Sequence, residues 1–318
     1  MKILVTGSAG HLGEALMRTL RDSKHEPVGL DVLPSPFTDI VGSIVDRDVV
    51  HNAMHRVDAV LHAATLHKPH VATHRRRDFV DVNVTGTLNL LEEAVRARVG
   101  AFVFTSTTSA FGRALSPPPG EPAAWLTEDV APVPKNIYGV TKVAAENVCE
   151  LVHRDTGMPC LALRTSRFFP EEDDMPEVRD ARDDANNKAN ELLYRRVDIE
   201  DVVDAHLLAI EKAASIGFAR YIVSATTPFT RADLAELRHD APAVVRRLVP
   251  AYAHEYALRG WSMFESIDRV YDNAKAREEL GWRPKVDFAQ AIARLREEDD
   301  LRSSLARKVG SKGYHRSP

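Results

Sequence analysis

The sequence predicts an α/β chain built on a doubly wound parallel sheet, and three observations predict it. Residues 3–5, 28–32, 58–63 and 101–106 are short apolar runs of strand length with helical patterns between them. Strand alternating with helix gives a parallel sheet covered on both faces. The first run breaks into three glycines spaced three apart, Gly7, Gly10 and Gly13, and then turns helical. The second run ends in an acid, Asp31, 18 residues after Gly13.

Taken in order, the first turn reads as a cradle for the pyrophosphate of a dinucleotide. Gly7 makes the tight turn, Gly10 lets the backbone approach the phosphates, and Gly13 lets the new helix pack close to the strand. The helix opening at His11 and Leu12 then points its N–H groups at the anion. The spacing is GxxGxxG rather than GxGxxG, and a tight turn alone would also use glycine. Asp31 stands near the roughly 20-residue offset at which a carboxylate reaches the adenosine ribose. An acid there repels a 2′-phosphate, so the expected cofactor is NAD and the fold a Rossmann sheet. Leu12, Leu16 and Leu20 give the first helix its buried stripe.

Gly42-Ser43-Ile44-Val45-Asp46 should end the third strand beside the adenine ring, with Ser43 as its hydrogen-bonding residue and Ile44 next to it. The run 58–63 then ends in Ala63 and Ala64, small residues that leave room for the cofactor across the strand tips. The following loop holds His67, Lys68, His70 and His74. No acid or cysteine accompanies them at a zinc spacing, so no metal is expected. The loop reads either as substrate-facing or as a solvated run into Arg75-Arg76-Arg77. A helix is predicted over 82–98, with Leu88, Leu91 and Val95 as its stripe.

The run 101–106 ends in Thr105-Ser106-Thr107-Thr108-Ser109. Hydroxyls here can serve a turn, but ligands of open α/β sheets lie outside the carboxyl ends of the strands, so at least one should face the substrate. Ser116 to Pro122 is too rich in proline for regular structure. Tyr138 and Lys142 then open a helix, four apart and hence on one face. A phenol titrates near 10 and is a poor base at neutral pH. An ammonium one turn away should lower that value and make Tyr138 usable as an acid/base.

The 318 residues are 44% hydrophobic and 28% charged with a net charge of −4, which describes an ordinary globular chain without a whole-protein field for nucleic acid or anionic membrane. No apolar stretch approaches the roughly 18 residues of a membrane span, and because an apolar run starts directly after Lys2, no signal peptide is expected. A cytoplasmic protein is expected. Cys149 and Cys160 are the only cysteines, too few for a disulfide framework.

GxxGxxG from Gly7, Asp31, the strand-end hydroxyls, Asn83-Val84-Thr85-Gly86-Thr87 and the Tyr138/Lys142 pair occur together and in order. In this the chain resembles an extended short-chain dehydrogenase/reductase of the NAD-dependent sugar epimerase/dehydratase group. Arg195 to Val203 is similar to the group's "HVDD" stretch, and Lys275 to Pro284 to its "LGW-P" element. The resemblance covers about residues 1–295 and implies roles. Tyr138 is the catalytic acid/base, and Lys142 bonds the nicotinamide ribose and lowers the tyrosine's pKa. Thr107 polarises the substrate oxygen, and Asn83 orders the helix beside the site. Two departures stand out: Ser43 replaces an adenine-binding Asp, and Phe111 replaces the tyrosine of "VYG", removing a hydroxyl near the substrate.

A third departure concerns size. Only 30 residues separate Arg164, which begins a stretch similar to "RxxNVYGP", from Arg195. Nucleotide-sugar enzymes of the group usually place a longer segment there. The resemblance therefore implies a small sugar, sugar acid or related hydroxy compound, as in the uronate dehydrogenases. Expected substrate contacts are His67, Thr107, Thr108, Ser166, Arg167 and Asn187. The expected domains are an NAD-binding core (1–164), a small C-terminal substrate-binding cap (165–302) with returning core elements at about 196–225, and a polar tail (303–318). The tail, with Lys308, Lys312, His315 and Arg316, reads as a solvated end. Family members often dimerise by pairing the helices here at about 83–98 and 138–156 into a four-helix bundle, so the resemblance implies a homodimer. Net oxidation, an epimerase or dehydratase that returns the hydride, and a non-catalytic NAD sensor on the same fold all remain open from sequence.

Overall fold

The computed structural model describes residues 1–172, 176–298 and 300–312. In chain order its main elements begin with β1 (Lys2–Thr6), α1 (His11–Arg21), β2 (Glu26–Asp31), β3 (Ile40–Val41), α2 (Arg47–Ala53) and β4 (Ala59–His62). There follow α3 (Arg76–Val80), α4 (Gly86–Arg96), β5 (Ala101–Thr107), β6 (Ala124–Leu126), α5 (Ile137–Thr156) and β7 (Cys160–Thr165). Next come α6 (Pro176–Ala181), α7 (Asp184–Glu191), α8 (Ile199–Ile216), β8 (Phe218–Val223) and β9 (Arg269–Tyr271).

Seven strands form one parallel sheet in the order β3-β2-β1-β4-β5-β7-β8. The chain winds outward from β1 in one direction and from β4 in the other. The switch between them, where Gly7 meets Ala64, is where such sheets open a crevice for a ligand.

Alternation along the strands sorts the core onto two faces. Ile3 and Val5 of β1 join Leu61, Val103 and Leu163 under α1 and α8. Leu4 joins Val60, Phe102, Phe104 and Ala162 under α2, α4 and α5. A separate apolar cluster gathers Leu192, Leu193, Phe229, Val244, Tyr256, Phe288 and Ile292 beyond the strand tips. The short parallel pair of β6 and β9 ties the proline-rich excursion to this later part of the chain. Trp282 is fully buried in the main core and donates its indole N–H to the Asp201 carbonyl, while the Asp201 carboxylate accepts Lys285 and Val286 N–H groups. The "LGW-P" element is thus a dock onto the first turn of α8.

Two expectations change. The helix predicted over 82–98 is regular only from Gly86, because Asp81–Thr85 forms a π-turn between α3 and α4. That extra residue in the turn is what carries Asn83 inward. The tail is not a solvated end as far as it is described. The helix Ser304–Val309 packs on α1 and α8 and buries Val309 in the main core, and Ser303 donates its N–H to Asp198. His315 and Arg316 lie outside the described residues.

His62 and His206 are buried on the sheet's two sides, and burial holds both well below the usual histidine value, to about 3 with help from Lys142 and to about 4 respectively. The unfolded chain takes protons near 6.5 that these rings refuse, so stability falls as pH drops from about 6.5 towards 4. Urea midpoints at pH 7 and pH 5 should show that fall, and His206→Gln should remove part of it.

Candidate active site

The glycine turn is forced by close approach. Gly7 has φ +74°, and a Cβ on it would sit 2.7 Å from the Ala64 nitrogen; a Cβ on Gly13 would sit 1.9 Å from the Gly7 carbonyl oxygen. Gly10 caps α1 and donates its N–H to Gly7. The first turn of α1, with His11, Leu12 and Gly13, therefore faces the crevice with amides that no carbonyl within the helix can take. At the end of β2 the Asp31 carboxylate accepts the Ala9 and Leu33 N–H groups at 2.9 Å each, which holds it against this turn. A cradle with no room for a Cβ and an anchored acid beside it fits a dinucleotide's pyrophosphate and ribose.

Around the cradle, Ser43 accepts the Val45 N–H, and Ile44 is buried. Asn89, which sequence reasoning passed over, donates to the Ile44 and Val45 carbonyls and fixes that loop. Ala63 and Ala64 donate their N–H groups to the carbonyl and hydroxyl of Thr6. Asn83 accepts the Leu66 N–H and the Thr65 hydroxyl, and donates to the Leu66 carbonyl and the Thr141 hydroxyl. One amide thus joins the loop after β4 to α5, one residue before Lys142.

Thr107 and Tyr138 come together at the end of β5. Both are buried, with the Thr107 hydroxyl beside the phenol, and Thr107 accepts the Ser109 N–H at 3.1 Å. Lys142 does not point at the phenol. Its ammonium donates to the Thr105 carbonyl at 2.5 Å and lies 4.1 Å from the centre of the Phe104 ring. Burial pushes the Tyr138 phenol up to about 12, against the smaller downward pull of Thr107. The expected lowering by Lys142 is absent in this arrangement, because the charge sits on a neighbouring carbonyl. Burial also pulls Lys142 down to about 7, with Glu146 drawing it back up.

The substrate candidates are placed differently from one another. Thr108 is buried in the short turn after Thr107. Ser166 and Arg167 follow β7, whose Thr165 pairs with Thr107, so both stand at the strand tips, and the Ser166 hydroxyl is buried with no hydrogen-bond partner among the described residues. Arg167, Arg195 and Arg196 converge on the buried Glu191 carboxylate. His67 stacks edge-on with His70, and its ring centre lies 6.4 Å from that of Phe169. Asn187 is not brought to this cluster. Its amide donates to the Val178 and Arg182 carbonyls, and it lines a polar cavity of about 490 Å³ with Arg179, Asp183 and Trp261. Phe111 is fully buried between Arg164 and Tyr271, so the ring packs within the fold.

Two partnerships escaped the sequence. His11 pairs with Glu171 at 2.9 Å, and Glu171 also accepts the Lys312 N–H, so the far end of the chain is clipped to the cradle. Glu146 sits buried one turn beyond Lys142; its i+4 spacing from the lysine was the available signal. Among the described residues no group of three or more His, Cys, Asp or Glu is placed to hold a metal ion.

The model of the NAD dependent epimerase/dehydratase family matches residues 3–223. The chain is 27% identical over 319 residues to the UDP-glucose 4-epimerase of Lactobacillus helveticus, across 90% of this chain and 92% of that one. It is 30% identical over 336 residues to the dTDP-glucose 4,6-dehydratase of Streptomyces antibioticus, across 92% and 91%. A short-chain dehydrogenase/reductase superfamily protein from Agrobacterium tumefaciens, solved with bound NAD, superposes with a TM-score of 0.66 at 25% identity over 93% of this chain and 98% of that one.

The unfolded chain keeps a lysine proton up to about 10.5, whereas the folded chain releases that of Lys142 near 7. Between those values the unfolded state binds more protons, so stability rises with pH. Calorimetry should find Lys142→Met more heat-stable than the parent at pH 6, with the advantage shrinking as the pH rises above 7.

Proposed function

The chain belongs to the NAD-dependent epimerase/dehydratase family, and from that premise we propose how this NAD-dependent enzyme uses its site: hydride transfer at a C–OH or C=O of a small sugar, sugar acid or related hydroxy compound. The observation that carries the residue assignment is the hydroxyl pair of Thr107 and Tyr138 at the strand tips, with Lys142 one turn along the same helix. NAD supplies the acceptor or donor of the hydride when bound. Gly7, Gly10, His11, Leu12 and Gly13 hold its pyrophosphate, Asp31 its adenosine ribose, and Ser43, Ile44, Ala63, Ala64 and Asn83 shape the rest of the groove.

Tyr138 moves the proton. At rest burial keeps the phenol protonated, the form that serves as an acid in carbonyl reduction. In the oxidative direction it must first give up its proton, which the Lys142 ammonium favours once it turns from the Thr105 carbonyl to the phenol. Thr107 bonds the same substrate oxygen and fixes its distance from Tyr138. His67, Thr108, Ser166 and Arg167 line the approach. Residues 1–164 form the cofactor-binding core, 165–302 a cap with returning core elements, and 303–318 a tail. The short span between Arg164 and Arg195, occupied by α6 and α7, supports a compact substrate.

The curated relatives favour a second reading, in which the hydride returns to the same molecule, as in an epimerase or dehydratase. The chain works as a homodimer in the cytoplasm on this proposal. Leu88 of α4 and Val140 and Leu151 of α5 are exposed apolar residues available for pairing, and no described helix is long and apolar enough to cross a membrane.

Tyr138→Phe should lower kcat by about 10²–10⁴-fold and leave NADH affinity unchanged by fluorescence titration. A substrate panel of free sugars, uronic acids, hydroxy acids and UDP- or dTDP-sugars, followed at 340 nm, tests the rest. Turnover of nucleotide sugars alone would overturn the compact-substrate reading. Copurified NAD with turnover but no change in absorbance would favour the returned hydride.

A further inference from the structure

One buried carboxylate joins the catalytic helix to three strands. Glu146 is fully buried; it accepts the Ser106 hydroxyl from β5, Arg164 at 2.8 and 3.0 Å from β7, and Arg220 at 3.0 Å from β8. Ser106 and Arg164 lie opposite each other in the sheet register, so the carboxylate clamps one rung of the ladder. The residues on either side of Ser106 are the two that matter to chemistry. The Thr105 carbonyl holds Lys142, and the Thr107 hydroxyl meets Tyr138. A buried ion cluster stabilises a fold no better than apolar packing of the same volume, so stability alone does not account for an acid at this position.

We propose that Glu146 is a positioning residue: through Ser106 it fixes the strand end that offers Thr105 to Lys142 and Thr107 to Tyr138, and it sets a negative charge one turn behind the Lys142 ammonium. The use of Lys142 and Tyr138 in chemistry rests on the function proposed above; the placement of the charge does not. The groups facing the Lys142 ammonium are Glu146 and Cys149 on its own helix, the Phe104 ring and Thr105 carbonyl from β5, and His62 from β4. Cys160 and Arg164 of β7 stand behind Cys149 and Glu146. Among these Glu146 is the carboxylate.

The test reads the Lys142 titration in the full chain without substrate. Protein labelled with ¹³C at the lysine ε-carbon is titrated by NMR, and the Lys142 signal is identified by its loss in Lys142→Met. In Glu146→Gln the midpoint should fall by at least one pH unit, a tenfold loss of proton affinity. A folded variant whose midpoint stays within 0.2 unit of the parent would overturn the electrostatic role. Should Glu146→Gln fail to fold because Arg164 is left unpaired, E146Q/R164M removes both charges together and decides the same question. Ser106→Ala isolates the clamp: its Lys142 midpoint should match the parent, while kcat falls about tenfold at unchanged KM. An unchanged kcat would overturn the positional role. If no substrate turns over in any form, the NMR midpoint still decides the charge, and that outcome counts against the proposed reaction instead.

Discussion

A buried ammonium needs partners wherever it lies, and the centre of this sheet is arranged around that of Lys142. The helix that carries it starts at Asn136, whose side chain caps the Gly139 amide and so sets the phase of Tyr138 and Lys142 on one face. The strand beneath supplies a carbonyl and an aromatic face rather than a carboxylate, partners that hold the ammonium without neutralising it. Thr105 is itself held from the opposite side. A neutral His206 donating from Nδ1 to the Val202 carbonyl must accept at Nε2, so the Thr105 hydroxyl donates to it. Polar side chains from α8 and α5 therefore meet on consecutive residues of β5, Thr105 and Ser106.

The parts of the molecule visible in sequence are those set by local rules. Short apolar runs, glycines with no room for a Cβ and a four-residue spacing on a helix each leave a pattern in neighbouring residues. The clip between Glu171, His11 and Lys312 leaves none, because its members lie at the start, middle and end of the chain and each alone looks like a solvated residue. The π-turn at Asp81–Thr85 was hidden for a different reason. Its cause is the pull of Asn83 towards Leu66 and Thr141, a tertiary demand that overrides the helical periodicity around it. The same applies to the helix Ser304–Val309, whose polar composition conceals one buried edge formed by Leu305, Ala306 and Val309.

The later half of the chain is held to the strand tips by charge as well as by its own apolar cluster. Glu191, at the end of α7, gathers Arg167 from the end of β7 and Arg195 and Arg196 from the approach to α8. The Arg167 and Arg196 backbones form a parallel bridge beside it. Arg167 thus belongs to a network that fixes the relation of α7 to the sheet, and a ligand contacting it would feel that network's geometry. Burial pushes the Glu191 carboxyl up, but Arg196, Arg195 and Arg167 together overcome it and hold the carboxyl down to about 2, so the hub stays ionised throughout the neutral range.

The cradle and Lys142 are connected through His62. The Thr87 hydroxyl donates to the Asn83 carbonyl, so toward His62 it can only accept, and it takes the proton of Nε2. A neutral ring then accepts at Nδ1 from the Thr6 hydroxyl, whose oxygen in turn accepts the Ala64 N–H. The chain of bonds has a single direction, from Ala64 at the cradle to Asn83 at the edge of α4, and it exists only while His62 is neutral. Burial is the larger cause of that neutrality and the Lys142 charge the second. The Lys142 ammonium, held on the Thr105 carbonyl, therefore also helps to keep the Gly7 turn and the Asn83 turn in register, which ties the two halves of the site to one charge.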